Sequence, residues 1–200
     1  EYAFYGCNGL TRVALPQNVG TIGEGAFNDC SGLTSAVFSG NVDSIGESAF
    51  GYCGKLVDVT FSGEVESVGK YVFKECAGLT NISFDGKVGF VDEGAFEGCD
   101  RLTKLEFPGG IDSVGPYAFS GDNLISLYIH SAQAIDGEAF ISSHGLKNVF
   151  FGGTEEDWKA CGGPKAVRDD GFPVPIFEAT GFPETEAGDT DTLKKLIEDG

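Results

Sequence analysis

Five cysteines stand in register along this chain, at Cys7, Cys30, Cys53, Cys76 and Cys99, and a sixth, Cys161, follows after a gap. Thiols at such spacing could form disulfides, hold a metal or serve as nucleophiles. The even total invites a disulfide framework. If the equivalent residues stack as neighbouring turns, their alpha carbons lie about 4.7 to 4.9 Å apart, within disulfide reach. Their side chains would nevertheless run parallel rather than toward one another, so bridging would strain the backbone. Metal ligation wants C-x-x-C pairs or histidine partners, and one thiol per turn supplies neither. The reading is of buried free thiols packed as small hydrophobes, with an exposed thiol as the alternative at Cys161 alone. His130 and His144 allow a nucleophile–base arrangement with Cys161 on paper. No G-x-S-x-G, H-E-x-x-H, P-loop or dinucleotide fingerprint accompanies it. The acidic residues form no D-x-D-x-D-G calcium loop and read as a solvated face. No catalytic site, cofactor or metal is expected.

The balance of 13 basic against 31 acidic residues leaves a net charge of -18. A field of that sign repels phosphate backbones and excludes nucleic acid as a partner. No apolar run approaches the roughly 20 residues of a membrane span, so no membrane insertion is expected. The 200 residues are 41% hydrophobic and 12% aromatic, which is enough for a continuous core. The chain carries no methionine and opens on Glu1 in mid-pattern. It reads as an excerpt of a longer protein.

What positions these residues is a repeat. Phenylalanine recurs every 23 residues at Phe4, Phe27, Phe50, Phe73, Phe96 and Phe119, and then at Phe140 after 21. Cysteine follows three later in the first five copies, and leucine three after that. An apolar pair spaced by two comes next, as Ala36 and Phe38, Val59 and Phe61, or Leu105 and Phe107, which specifies one short strand per repeat. A second apolar pair spaced by three, such as Val42 and Ile45, is mostly followed by glycine and reads as the turn of the coil. One repeat offers about six apolar side chains at ~1.5 to 3 kcal/mol each, against ~1 to 2 kcal/mol of backbone entropy per residue. A single repeat is therefore unfolded, and only a stack with capped ends is stable.

Read as L-x-x-V-x-L/F followed by V-x-x-I-G-x-x-A-F-x-x-C-x-x-L, the unit resembles the BspA-like leucine-rich repeats of bacterial and protist surface proteins. The stretch from Leu10 to Leu33 fits nearly every position, and the resemblance covers about residues 1–160. It implies a repeat solenoid, a leucine-rich-repeat-like right-handed coil with short parallel strands, mainly β with irregular turns. It also implies extracellular or cell-surface placement and a role in adhesion or recognition rather than chemistry. Asp92 and Asp136 replace the turn glycine, and Val72 replaces the alanine before phenylalanine. The sixth repeat loses one residue before Leu124 and one before Ile135, and it lacks its cysteine, so the ladder breaks there and the coil should tighten.

Residues 1–161 are assigned to the solenoid, with a C-terminal cap near residues 152–161. There Thr154 and Asp157 fit a capping box and Trp158 covers the last coil. Residues 162–200 read as an acidic Pro/Gly-containing linker or tail ending in a short helix. Alternation turns the remaining strand positions outward. The candidate binding strip along them is Asp58, Thr60, Ser83, Lys104, Glu106, Tyr128, His130 and Phe150. Tyr128 and Phe150 supply aromatic anchors of the kind protein and glycan interfaces use. The functional expectation is a non-catalytic module binding a protein or glycan, and the alternative is a structural spacer for another domain.

Overall fold

A computed structural model describes residues 1–121, 123–164 and 176–177, and each repeat in it is one coil carrying strands of four residues. The first coils contribute β1 (Arg12–Leu15), β2 (Val19–Ile22), β3 (Ser35–Phe38), β4 (Val42–Ile45), β5 (Asp58–Phe61) and β6 (Val65–Val68). The later coils contribute β7 (Asn81–Phe84), β8 (Val88–Val91), β9 (Lys104–Phe107), β10 (Ile111–Val114), β11 (Ser126–Ile129), β12 (Ala132–Ile135) and β13 (Asn148–Phe151). A helix, α1 (Glu155–Ala160), and a two-residue strand, β14 (Ile176–Phe177), complete the described elements.

The first strand of each coil lies where alternation places it. In β3, β5, β9 and β13 the second and fourth residues are buried and the first and third half-exposed. All pairings are parallel and advance one coil at a time, as in Val59↔Ile82 and Phe61↔Phe84. Hydrogen bonds join β1-β3-β5-β7 as one sheet and β9-β11-β13-β14 as another. The expected turn after each first strand is itself a strand. The even-numbered strands form one continuous six-stranded sheet from β2 to β12. Their buried residues are the first and last of four, as in β4, β6, β8 and β10.

Between the sheets run two columns of phenylalanine. Phe4, Phe27, Phe50, Phe73 and Phe96 stack at centroid spacings of 5.2, 5.1, 5.5 and 5.7 Å. Phe38, Phe61, Phe84 and Phe107 do so at 5.0, 5.2 and 5.2 Å. Ring faces prefer offset stacking at such distances, and the inner rings of each column gain a neighbour above and below only because the coils repeat. Val72, large where alanine is usual, is nevertheless fully buried. Where the turn glycine is missing, Asp92 and Asp136 accept hydrogen bonds from the backbone N–H of Glu93 (2.7 Å) and Glu138 (2.8 Å), which hold the turn locally.

The C-terminal cap is built as the capping box requires. Thr154 caps α1, its hydroxyl accepting from the Asp157 N–H while the Asp157 carboxylate accepts from the Thr154 N–H. Trp158 is buried against Phe140 and Phe151, with centroids at 6.3 and 5.1 Å. Its indole N–H donates to the Pro164 carbonyl at 2.9 Å. The segment read as linker or tail contributes to the sheet: β14 pairs parallel with β13, Phe151↔Phe177, and the Phe177 ring lies edge-on to Trp158. The helix expected over residues 191–199 lies outside the described residues.

Candidate functional site

The outward positions of the first strands form rows in register. Asp58 aligns with Asn81 and Thr60 with Ser83. Lys104 and Glu106 lie on β9, and Tyr128 aligns with Glu106 on one side and Phe150 on the other. Asp58, Thr60, Ser83, Lys104, Glu106 and Phe150 are half-exposed and His130 is exposed. The row is broken between β7 and β9, which share no strand pairing. It is also partly self-satisfied: Asn81 donates its side-chain amide to Asp58, and the Lys104 ammonium pairs with Glu106 at 2.8 Å.

Tyr128 does not belong to an open strip. It is 6% exposed although it points away from the phenylalanine core, and all four residues of β11 are buried. Its hydroxyl lies 3.4 Å from Nδ1 of His130. Alternation decides which face a side chain leaves by, not whether that face is covered, and Tyr128 sits between Glu106 and Phe150 on neighbouring strands. The assignment of Tyr128 to solvent is therefore corrected, and the exposed aromatic end of the strip reduces to His130 and the half-buried Phe150.

The thiols form a ladder of hydrogen bonds. The Sγ atoms of Cys30, Cys53, Cys76 and Cys99 donate to the carbonyls of Phe4, Phe27, Phe50 and Phe73, one coil back, at 3.0 to 3.2 Å. Each of these carbonyls also accepts the N–H of the cysteine three residues on, so the thiol fills its second lone pair. Ser143, at the cysteine position of the last coil, makes the same bond to Phe119 at 2.7 Å. All six cysteines are free. Burial pushes the Cys53 and Cys99 thiols up to about 12, and raises those of Cys76 and Cys161 as well. Cys161 is buried, not exposed, and donates to the Trp158 carbonyl at 3.2 Å. A protonated thiol turned to a backbone carbonyl is a poor nucleophile. Among the described residues no group of three histidine, cysteine or acidic side chains is placed to hold a metal.

One feature escaped the sequence reading. The first phenylalanine column is interrupted at the shortened sixth coil: Phe119 touches Phe140 (5.5 Å) and, as Phe50 does with Phe38, the facing ring of the other column, Phe107 (6.0 Å), but among the described residues no ring contact joins it to Phe96. A cleft of about 270 Å³ lies there, with Phe96, Cys99, Leu102, Leu105, Phe119 and Leu124 among its lining. Glu75, Glu97 and Asp100 stand at the same cleft. Phe96 and Cys99 are 6% and 7% exposed, whereas Phe73 and Cys76 one coil earlier are wholly buried. The sequence signal was the residue missing between Phe119 and Leu124.

Two parallel strands per coil, a leucine and a phenylalanine ladder and a helical cap define a leucine-rich-repeat solenoid. The chain belongs to the BspA type leucine rich repeat family, whose six-copy region matches residues 1–103 and 66–158. No curated protein matches it. Among solved structures it is similar to a leucine rich cell surface protein from Faecalibacterium prausnitzii A2-165, at 19% identity and a TM-score of 0.46, over 84% of this chain and 66% of that one. It is also similar to the T. pallidum leucine rich repeat protein, at 29% identity and a TM-score of 0.37, over 60% and 67%. A leucine-rich repeat protein from Bacteroides ovatus ATCC 8483 is similar at 16% identity and a TM-score of 0.39, over 88% and 64%. The chain thus spans about two thirds of the length of these proteins. Among the described residues no helix is long and apolar enough to cross a membrane.

Proposed function

We propose that the chain is a non-catalytic recognition or adhesion module, binding a protein or glycan through an outer face of the solenoid as part of a larger cell-surface or secreted protein. The observation that carries this reading is the independence of face from fold. The inward positions of β3, β5, β7 and β9 are uniformly apolar, Ala36, Val59, Ile82 and Leu105, each followed by a buried phenylalanine. The outward positions change from Val37 to the aligned Thr60 and Ser83, and to Glu106 at the same place in the next repeat. Exposed substitutions of that kind cost a fold little, and stacked coils turn them into one extended surface. The open part of the strip is Asp58, Thr60, Ser83, Lys104, Glu106, His130 and Phe150. Surface placement is the expectation that the family resemblance carries. The raised thiol pKa values support a role without nucleophilic chemistry.

A purely structural spacer is the second reading, favoured by the pairing of Asp58 with Asn81 and of Lys104 with Glu106 within the strip. Glycan and protein arrays probed with the whole chain separate the two. A captured ligand lost in a Thr60→Arg, Ser83→Arg variant of unchanged circular dichroism supports recognition through the strip. An intact fold that captures nothing supports the spacer.

A further inference from the structure

The cleft at the sixth coil combines two chemistries. Its floor is apolar, with Phe96, Leu102 and Leu124 turned to it, and three carboxylates stand around it. Glu97 already holds the Lys74 ammonium at 3.2 Å. Among the described residues Glu75 and Asp100 have no lysine or arginine within ion-pair distance, although Arg101 is the next residue in the chain. Among the described residues Asp100 accepts only a long side-chain bond, 3.3 Å, from the Asn123 amide. At about 270 Å³ the cleft falls just short of the ~300 to 1,000 Å³ of small-molecule sites. That size suits one anchoring side chain better than a whole metabolite. Anions are excluded by the rim and by the net charge of -18, which draws basic partners in.

We propose that this cleft receives an arginine side chain from a basic segment of a partner protein, its alkyl stem on Phe96, Leu102 and Leu124 and its guanidinium between Glu75 and Asp100. Arginine fits because it covers apolar surface with its stem while keeping its head polar, and because a planar fork can serve two carboxylates at once. The carboxylates act on the floor itself: after burial, the charges of Asp100 and Glu75 add to the upward shift of the Cys99 thiol. This inference rests on the solenoid being a binding protein, but not on its strand strip.

The test is amide NMR on the whole chain, titrated with an acetylated and amidated Gly-Ser-Arg-Ser-Gly peptide and with its citrulline counterpart, which keeps the shape and loses the charge. Saturable shifts confined to residues 96–102 and to Phe119, Ser120 and Leu124 are expected. The citrulline peptide should bind at least about fivefold more weakly, the scale of one partly screened ion pair. A Glu75→Gln, Asp100→Asn variant should weaken the arginine peptide by a similar factor with the rest of its spectrum unchanged. Ser120→Phe, which fills the cleft from its wall, should remove binding. Equal binding of both peptides, shifts spread over all acidic faces, or no shifts at millimolar peptide would each overturn the proposal. Shifts along β5, β7 and β9 instead would overturn the cleft while supporting the strip. An array screen that captures nothing leaves a positive peptide result standing.

Discussion

Replacing Phe73 by alanine removes the ring best placed to report how the stack holds itself up. Phe73 is fully buried and lies between Phe50 at 5.5 Å and Phe96 at 5.7 Å. Phe4 occupies the same repeat position on the first coil, is 48% exposed and stacks only on Phe27. Phe73→Ala leaves a cavity closed on both sides, and truncating a buried phenylalanine costs about 3 to 5 kcal/mol. Phe4→Ala forfeits roughly half of a ~1.5 to 3 kcal/mol transfer term and leaves no enclosed cavity, so about 1 kcal/mol is expected. With a urea slope of about 2 kcal/mol/M, the midpoints should fall by ~1.5 to 2.5 M and ~0.5 M respectively. Coils contact only their neighbours, so hydrogen exchange should accompany the melt and show the Phe73 loss centred on the coils of Phe50 and Phe96. Equal midpoint shifts, or a shift below ~0.5 M for Phe73→Ala, would show that strand pairing rather than the ring column carries the stability.

In the folded protein an aromatic disulfide reagent should titrate Cys7 promptly and the other five thiols only after unfolding, with no mass change on reduction, because Cys7 alone is exposed. The Cys53 and Cys99 thiols keep their protons from the ordinary value of 9.0 up to about 12 while the unfolded chain loses them, so stability should be complete below pH 9 and fall toward pH 12. A Cys53→Ala, Cys99→Ala variant should show a shallower fall. Trp158→Ala should raise hydrogen exchange first in residues 140–151, since Trp158 closes the stack over Phe140 and Phe151; unchanged protection there with loosening elsewhere would mean it is no cap. Ser143→Ala should cost about 1 kcal/mol by thermal melting, the worth of one half-buried hydrogen bond, and Ser143→Cys should restore most of it by rebuilding the thiol ladder.

The first strands were legible because two-residue spacing has one structural meaning, and Ala36 with Phe38 or Leu105 with Phe107 are buried as alternation requires. The second strands were not. Val42 and Ile45 are spaced by three, which denies the period of two, yet both are buried at the ends of a four-residue strand whose neighbours in the stack supply the hydrogen bonds. Pairing between coils, invisible in any single repeat, overrides the local pattern. The cap was legible in Thr154 and Asp157 because a capping box is local chemistry. β14 was not, since a two-residue strand in a proline-containing stretch acquires its identity only from the open edge of β13.

The same division separates what was read correctly of the surface from what was missed. Thr60, Ser83 and Glu106 stand half-exposed as alternation dictates, since facing is a local property. The burial of Tyr128 depends on what lies over the neighbouring strands, which no period reports. The cleft turns on a subtler coupling. A one-residue deletion before Leu124 is plain in the sequence, and shortening alone argues for a tighter turn. What it does depends on where Phe119 finds its ring partners. Phe119 keeps the cross-column contact to Phe107 at 6.0 Å, as Phe50 does to Phe38 at 6.0 Å in an unbroken coil, but among the described residues it has no ring contact with Phe96, and the core of the fifth coil borders the cleft. Phe96 and Cys99 thus serve two ends: they close the coil beneath them and line an opening that an unbroken array would not have. The apolar lining of this cleft lies where the period fails, because elsewhere in the stack the phenylalanine of each coil is covered by that of the next.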